Sequence, residues 1–167
     1  EVQVYPVWNG GGTVKCSIVD TQYNAVSQDF IEMVQELIDP IPLQGIGLGM
    51  APIGHTVTIV TPTNYIVDIE TTVSLQNGFS LAQLQPLIEE AIEKYLLELR
   101  SQWGTPSNIN EYSLEIYIAR INSAILSVPG VANVVGTTIN GSTSDITLQE
   151  DAMVQQLPKL GTVTIHE

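Results

Sequence analysis

Apolar positions along the chain switch between a period of two and a period near 3.6, which predicts alternating strands and helices. Val2, Val4 and Val7 suggest an extended start, and Asn9-Gly10-Gly11-Gly12 breaks it with residues that tolerate positive φ. Thr13 to Val19 alternates as a strand, with Val14, Cys16 and Ile18 on one face. Ser27 is an N-cap type, Asp29 and Glu32 suit a positive first turn, and Phe30, Ile31, Val34, Leu37 and Ile38 form one apolar stripe. A helix is therefore predicted, ended by Pro40 and Pro42. A glycine-rich stretch from Leu43 to His55 leads into the strand pattern Thr56-Val57-Thr58-Ile59-Val60.

After Pro62 the pattern restarts with a long strand, Tyr65 to Leu75, in which Val67, Ile69, Val73 and Leu75 share a face that Thr71 interrupts; Ile66 lies off it. Asn77-Gly78 is a turn pair. Ser80 with Gln83 is spaced for a capping box, and Leu84, Ile88, Ala91, Ile92, Tyr95 and Leu99 mark a buried helix face. Pro86 inside that helix predicts a kink or a late start. A third helix is predicted after Ser113, from the spacing of Leu114, Tyr117, Ile118, Ile121 and Ile125, and Pro129-Gly130 stops it. Val131 to Ile139 and Ser144 to Leu148 read as a hairpin through Asn140-Gly141, with Gly161 to His166 as a last strand. The predicted fold class is α+β, helices packed on mixed or antiparallel sheets, in two small units of residues 1–61 and 62–167.

Charge narrows the function. The 167 residues carry 18 acids against 5 Lys and Arg, a net charge of -13, with charged residues at only 14%. Phosphate binding needs clustered cations, so nucleic acid is excluded as the main partner, and attraction to an anionic membrane is disfavoured for the same reason. No window reaches the roughly 18 apolar residues of a membrane span, and no basic-apolar signal segment opens the chain. A start at Glu1 suggests a fragment or a processed product. Few charges among many Thr, Ser, Asn and Gln point to a surface that other subunits can cover.

No motif specifies chemistry. Gly45-Ile46-Gly47-Leu48-Gly49 looks like a nucleotide loop, yet it lacks a Gly-Lys-Ser/Thr ending, has Met50 where Gly-x-Gly-x-x-Gly needs its last glycine, and precedes a strand rather than a helix. Glu89, Glu90, Glu93 and Glu98 read as a solvated helix face, with Glu90 placed to meet Lys94. Asp145, Glu150 and Asp151 are the weak candidates for a Ca2+ or hydrolase site, without a specific loop pattern. His55 and His166 have no zinc spacing, and the lone Cys16 reads as a strand residue rather than a nucleophile. Asn140-Gly141-Ser142 matches a sequon that the turn already explains. No catalytic, cofactor-binding or metal residue is assigned, no cofactor is expected, and the chain reads as a non-enzyme.

The stretch Gly47-Leu48-Gly49-Met50-Ala51-Pro52-Ile53-Gly54-His55-Thr56-Val57-Thr58-Ile59-Val60 resembles the most recognisable segment of the baseplate J family, wedge proteins of contractile-tailed phages, Mu-like prophages and related injection machines. Asn9 to Val14, Ile38-Asp39-Pro40, Val67 to Leu99, Ile125 to Val131 and Leu160 to Thr164 are similar to it in the same order. The resemblance covers nearly the whole chain, as a central-to-C-terminal part, and departs from the family at an insert from Gln102 to Asn110. It implies a structural role in a virion tail baseplate assembled in the bacterial cytoplasm. The implied partners are other wedge proteins and copies of the chain, joined around the tail tube and able to rearrange on contraction. The edge strand Val163 to Ile165 is a candidate for adding to a neighbour's sheet. The alternative function is a ferredoxin-like regulatory module that binds a small ligand at Gly45 to Gly54.

Overall fold

The computed structural model describes residues 1–104 and 114–167, and it is α+β. Two compact units form. The N-terminal unit comprises Glu1–Thr63, Gly104 and Gln149–Leu157; the C-terminal unit comprises Asn64–Trp103, residues 114–148 and Pro158–Glu167.

In the N-terminal unit, β1 (Val2–Pro6) pairs antiparallel with β2 (Thr13–Ile18), Val4 opposite Cys16, and β2 pairs parallel with β3 (Thr56–Val60), Cys16 opposite Ile59. Parallel neighbours need a crossover, supplied here by α1 (Gln28–Ile38). Ser27 caps α1 as predicted, its hydroxyl accepting from the Phe30 amide at 3.3 Å. Ala51, Val57 and Ile59 form the core, with Val14, Cys16, Ile18, Ile31, Val34 and Ile38 packed against them. The predicted stripe is thus split: Phe30 and Leu37 lie outside this core, 43% and 61% exposed. Val7 is not extended; at φ 58° it turns the chain, and its amide bonds the Thr13 carbonyl at 2.7 Å.

The other face of the same sheet carries Gln3, Tyr5, Lys15 and Ser17, which the alternation of Val14, Cys16 and Ile18 assigns to solvent. Lys15 and Ser17 are nevertheless buried, at 5% and 0% exposure. The Lys15 ammonium donates to the carbonyls of Ala152 (2.8 Å) and Met153 (3.1 Å) and lies 5.4 Å from the centre of the Trp8 ring. Strand residues are therefore sandwiched between α1 and the 149–157 segment, so periodicity alone identifies only one of two covered faces.

In the C-terminal unit the sheet order is β6-β4-β8, with β4 (Thr63–Leu75) central, β6 (Val131–Ile139) antiparallel to it and β8 (Gln156–His166) on the other side. α2 (Leu81–Arg100) and α3 (Ile118–Leu126) add buried Leu84, Ile88, Ile92, Leu96 and Leu99, and Ile121 and Ile125. Ala91 and Tyr95 are only half-buried, and Leu96 and Arg100 take the buried positions. α2 starts at Leu81, so Pro86 does not delay it. Thr71 stays on the inner face because its hydroxyl meets that of Thr137 on β6 at 2.7 Å, and Thr137 donates to the Asn122 side chain on α3 at 2.5 Å. A buried polar group is tolerated when its bonds are made inside.

Three expectations for this half are corrected. The third helix begins at Ile118; Ser113 lies outside the described residues, Leu114 precedes a short β5 (Glu115–Ile116), and Leu114 and Ile116 are both buried at a strand spacing. Asn140-Gly141 does make a turn with positive φ at both residues (50° and 75°), but no hairpin continues from it. β6 instead pairs with β4, while β7 (Ile146–Thr147) pairs with β5. The reason is the Asn140 side chain, which accepts from the Asp68 amide at 2.8 Å and donates to the Ile66 carbonyl at 3.0 Å, fixing the turn to β4 rather than to the next strand. β8 also starts earlier than Gly161, at Gln156.

Candidate functional site

The glycine loop is built around the end of α1. Gly49 passes so close to the helix that a Cβ there would stand 2.5 Å from the Ile38 carbonyl oxygen and 2.8 Å from that of Leu37. The next two amides use this proximity: Met50 bonds Leu37 O at 3.2 Å and Ala51 bonds Ile38 O at 2.8 Å, satisfying carbonyls that a helix end leaves open. The Gly45 amide donates to Asp39 and the Gly54 amide to Gly45 O. A phosphate loop presents free amides at a helix N-terminus; here the loop closes a C-terminus, and the amides of Gly45, Met50, Ala51 and Gly54 are bonded within the unit. Surface cavities lie elsewhere, among them one of about 260 Å3 along Lys94, Tyr95 and Arg120 and one of about 540 Å3 along Val19, Asp20 and Phe30.

Gln35 and Asp39 staple this helix to β3. Asp39, fully buried, accepts from the amides of Gly45 (2.9 Å) and Val57 (2.8 Å) through different oxygens. Gln35 donates to Val57 O at 2.9 Å and to Asp39 O at 2.7 Å, and accepts from the Ile59 amide at 2.8 Å.

The acidic candidates do not converge. Asp145 accepts from the Ile118 amide at 2.8 Å and so caps α3, where a negative charge is favourable. Asp151 accepts from the amides of Met153 (2.7 Å) and Val154 (2.8 Å), and these bonds hold its carboxyl below the usual range. Glu150 accepts from the Gln3 side chain at 2.9 Å. On α2, Glu93 pairs with Arg100 at 2.6 Å and Glu89 accepts from Gln85. Glu90 and Lys94 do not pair, and no cluster of three or more His, Cys, Asp or Glu suited to a metal occurs among the described residues. His166 sits 2.9 Å from Glu70, exposed on β8. Half-buried Cys16 lies against the α1 core, where burial raises its thiol pKa, the reverse of an activated nucleophile.

Glu150 gives a test of the sheet's polar face. Burial raises its pKa, against the opposing effect of bonds from Gln3 and the Gly104 amide. A carboxyl with a raised folded pKa contributes stability below its unfolded pKa and loses it as pH rises through the folded value. Glu150→Gln should therefore flatten the fall in stability as pH rises above the ordinary glutamate pKa of about 4.3, as read by urea midpoints across a pH series.

Large apolar side chains are also exposed. Leu37, Met50 and Ile53 are 61%, 71% and 79% exposed on α1 and the loop that closes it, the kind of side-chain group that marks protein contacts rather than catalysis. In the C-terminal unit β8 is an edge strand, with β4 on one side only. Periodicity predicts a strand here and the family resemblance suggests its edge role, whereas the exposed half of the α1 stripe carries no sequence signal that separates it from core.

The family model described as Baseplate J-like central domain matches residues 1–61, and that described as Baseplate J-like protein C-terminal domain matches residues 67–166. The chain is 29% identical over 167 residues to the phage-like element PBSX protein XkdT of Bacillus subtilis (strain 168). It is 31% identical over the same length to the uncharacterized protein YqbT of that strain. All of the chain is covered in both alignments, and it spans 43% of each relative's length. The chain belongs to the baseplate J-like family, carrying its central and C-terminal domains.

Proposed function

We propose that the chain is a structural part of a contractile phage or prophage tail baseplate, a wedge protein that joins neighbouring wedges around the tail tube. The observation that carries this reading is the pair of family matches, in order, over residues 1–61 and 67–166. The similarity to a protein of a phage-like element supports the same setting. Its partners in this proposal are other wedge proteins and further copies of the chain, its place is the virion tail, and assembly precedes release from the host cytoplasm. The role in this proposal is mechanical rather than catalytic, as the baseplate family suggests. No described helix is long and apolar enough to cross a membrane.

Two surfaces suit such contacts. Exposed Leu37, Met50 and Ile53 give apolar area that a neighbour removes from water, and the open side of β8 offers backbone groups for strand addition. Rearrangement on contraction requires that alternative contacts differ by only a few kcal/mol, so that a trigger shifts the population.

Immunogold electron microscopy tests the proposal, with antibody to this chain on particles released from induced source cells. Label at the distal end of contractile tails is expected. Intact tails with an accessible epitope and no label at any tail end would overturn the reading.

A further inference from the structure

The polar face of β1 and β2 is closed by a segment that comes from far along the chain. Between β7 and β8, which lie mainly in the C-terminal unit, residues Gln149–Leu157 leave that unit and join the N-terminal one. They are held there at three points. Glu150 accepts from buried Gln3 at 2.9 Å, the Ala152 and Met153 carbonyls accept from Lys15, and the Gln155 carbonyl accepts from both the amide (2.9 Å) and hydroxyl (3.2 Å) of Thr63. The segment is also braced internally, with Asp151 bonding the amides of Met153 and Val154, and the Gln156 amide bonding Gln149 O at 2.9 Å.

A lysine head is withdrawn from water only where acceptors replace its hydration. Lys15 is 5% exposed, and desolvation outweighs nearby Asp151 to lower its pKa. Its two acceptors are backbone carbonyls, which are available only when Ala152 and Met153 hold this conformation. Gln3, 8% exposed, is likewise matched to one side chain of the segment. The face is thus shaped for a particular occupant.

We infer that the face of β1 and β2 around Gln3 and Lys15 is a receptor for residues 149–157 of the same chain, and that its occupation makes the two units unfold as one. The two family matches meet between residues 61 and 67, yet the first unit is completed by chain from beyond the second unit's β7. On this inference a boundary drawn at Pro62 separates sequence patterns and does not separate autonomous folding units.

The test is pulse-labelled hydrogen exchange across a urea titration of the full chain, read on peptides from β2 and from α2. In the parent both peptides should lose protection at one midpoint. Replacing Glu150–Val154 by a Gly-Ser linker of equal length should lower the β2 midpoint by about 1 M urea relative to α2. Where that variant does not fold, Lys15→Ala is read in the same way. Separate midpoints in the parent, or coincident midpoints in the variant read, would overturn the inference.

Discussion

Asp39→Ala should destabilise the chain by about 3 kcal/mol, because two hydrogen bonds to a charged acceptor are lost and amides in a closed site are left without partners. The carboxylate is fully buried and accepts from Gly45 and Val57 at 2.9 and 2.8 Å. Its position is otherwise unfavourable, since it caps the C-terminus of α1, the negative end of the helix dipole. An anion is retained there because the loop and β3 bring two amide donors to it. Asp39→Asn keeps one acceptor oxygen and turns a donor towards the other amide, so it should lose roughly half as much. Urea unfolding followed on β3 peptides measures both. Equal stability of parent and Asp39→Ala would mean that the staple between α1 and β3 contributes nothing net.

Gly49→Ala should cost about 2 to 4 kcal/mol, for a steric reason. The added methyl would stand 2.5 Å and 2.8 Å from backbone oxygens of Ile38 and Leu37, which cannot move aside as a side-chain tip can. Relief requires the loop to lift, and lifting breaks the Met50 and Ala51 bonds that close α1. Gly11→Ala is the control: nothing lies within 4 Å of its Cβ position, and a change within about 0.5 kcal/mol is expected. Thermal or urea midpoints that fall equally in the two variants would show that loss of glycine, rather than the close approach at 49, sets the effect.

Local signals were legible where local physics decides. Ser27 before an apolar stripe predicts a capped helix, and Asn140-Gly141 predicts a turn, because each depends on neighbours within a few residues. The partner of that turn was not legible, since Asn140 reads β4 through Asp68 and Ile66, more than seventy residues earlier. Leu114 to Tyr117 fits both periods, and only its pairing with β7 selects a strand. Lys15 and Arg100 were hidden for a related reason. A lone cation in an amphipathic pattern reads as solvent-facing, yet Arg100 is 5% exposed and donates to Pro158 O at 2.9 Å besides pairing with Glu93. Of the candidate site, the absence of a nucleotide loop was readable from Met50 and the strand that follows. That the same glycines close a helix was not, because the approach of Gly49 to Ile38 is a tertiary fact. The insert from Gln102 to Asn110 falls largely outside the described residues.

Burial of Lys15 and Arg100 also alters what the molecule presents at a distance. Lys15 is spent on backbone carbonyls and Arg100 on Glu93 and Pro158 O, so of the 5 cations in the chain only Lys94, Arg120 and Lys159 stand at the surface of a chain whose net charge is -13. The outward field is therefore strongly anionic, with a reach set by the Debye length of about 10 Å at 0.1 M salt. Two copies approaching one another feel that repulsion before any apolar side chain or strand edge can touch. Counter-ions then govern the rate of encounter: salt speeds the meeting of like copies, and slows the capture of a basic neighbour.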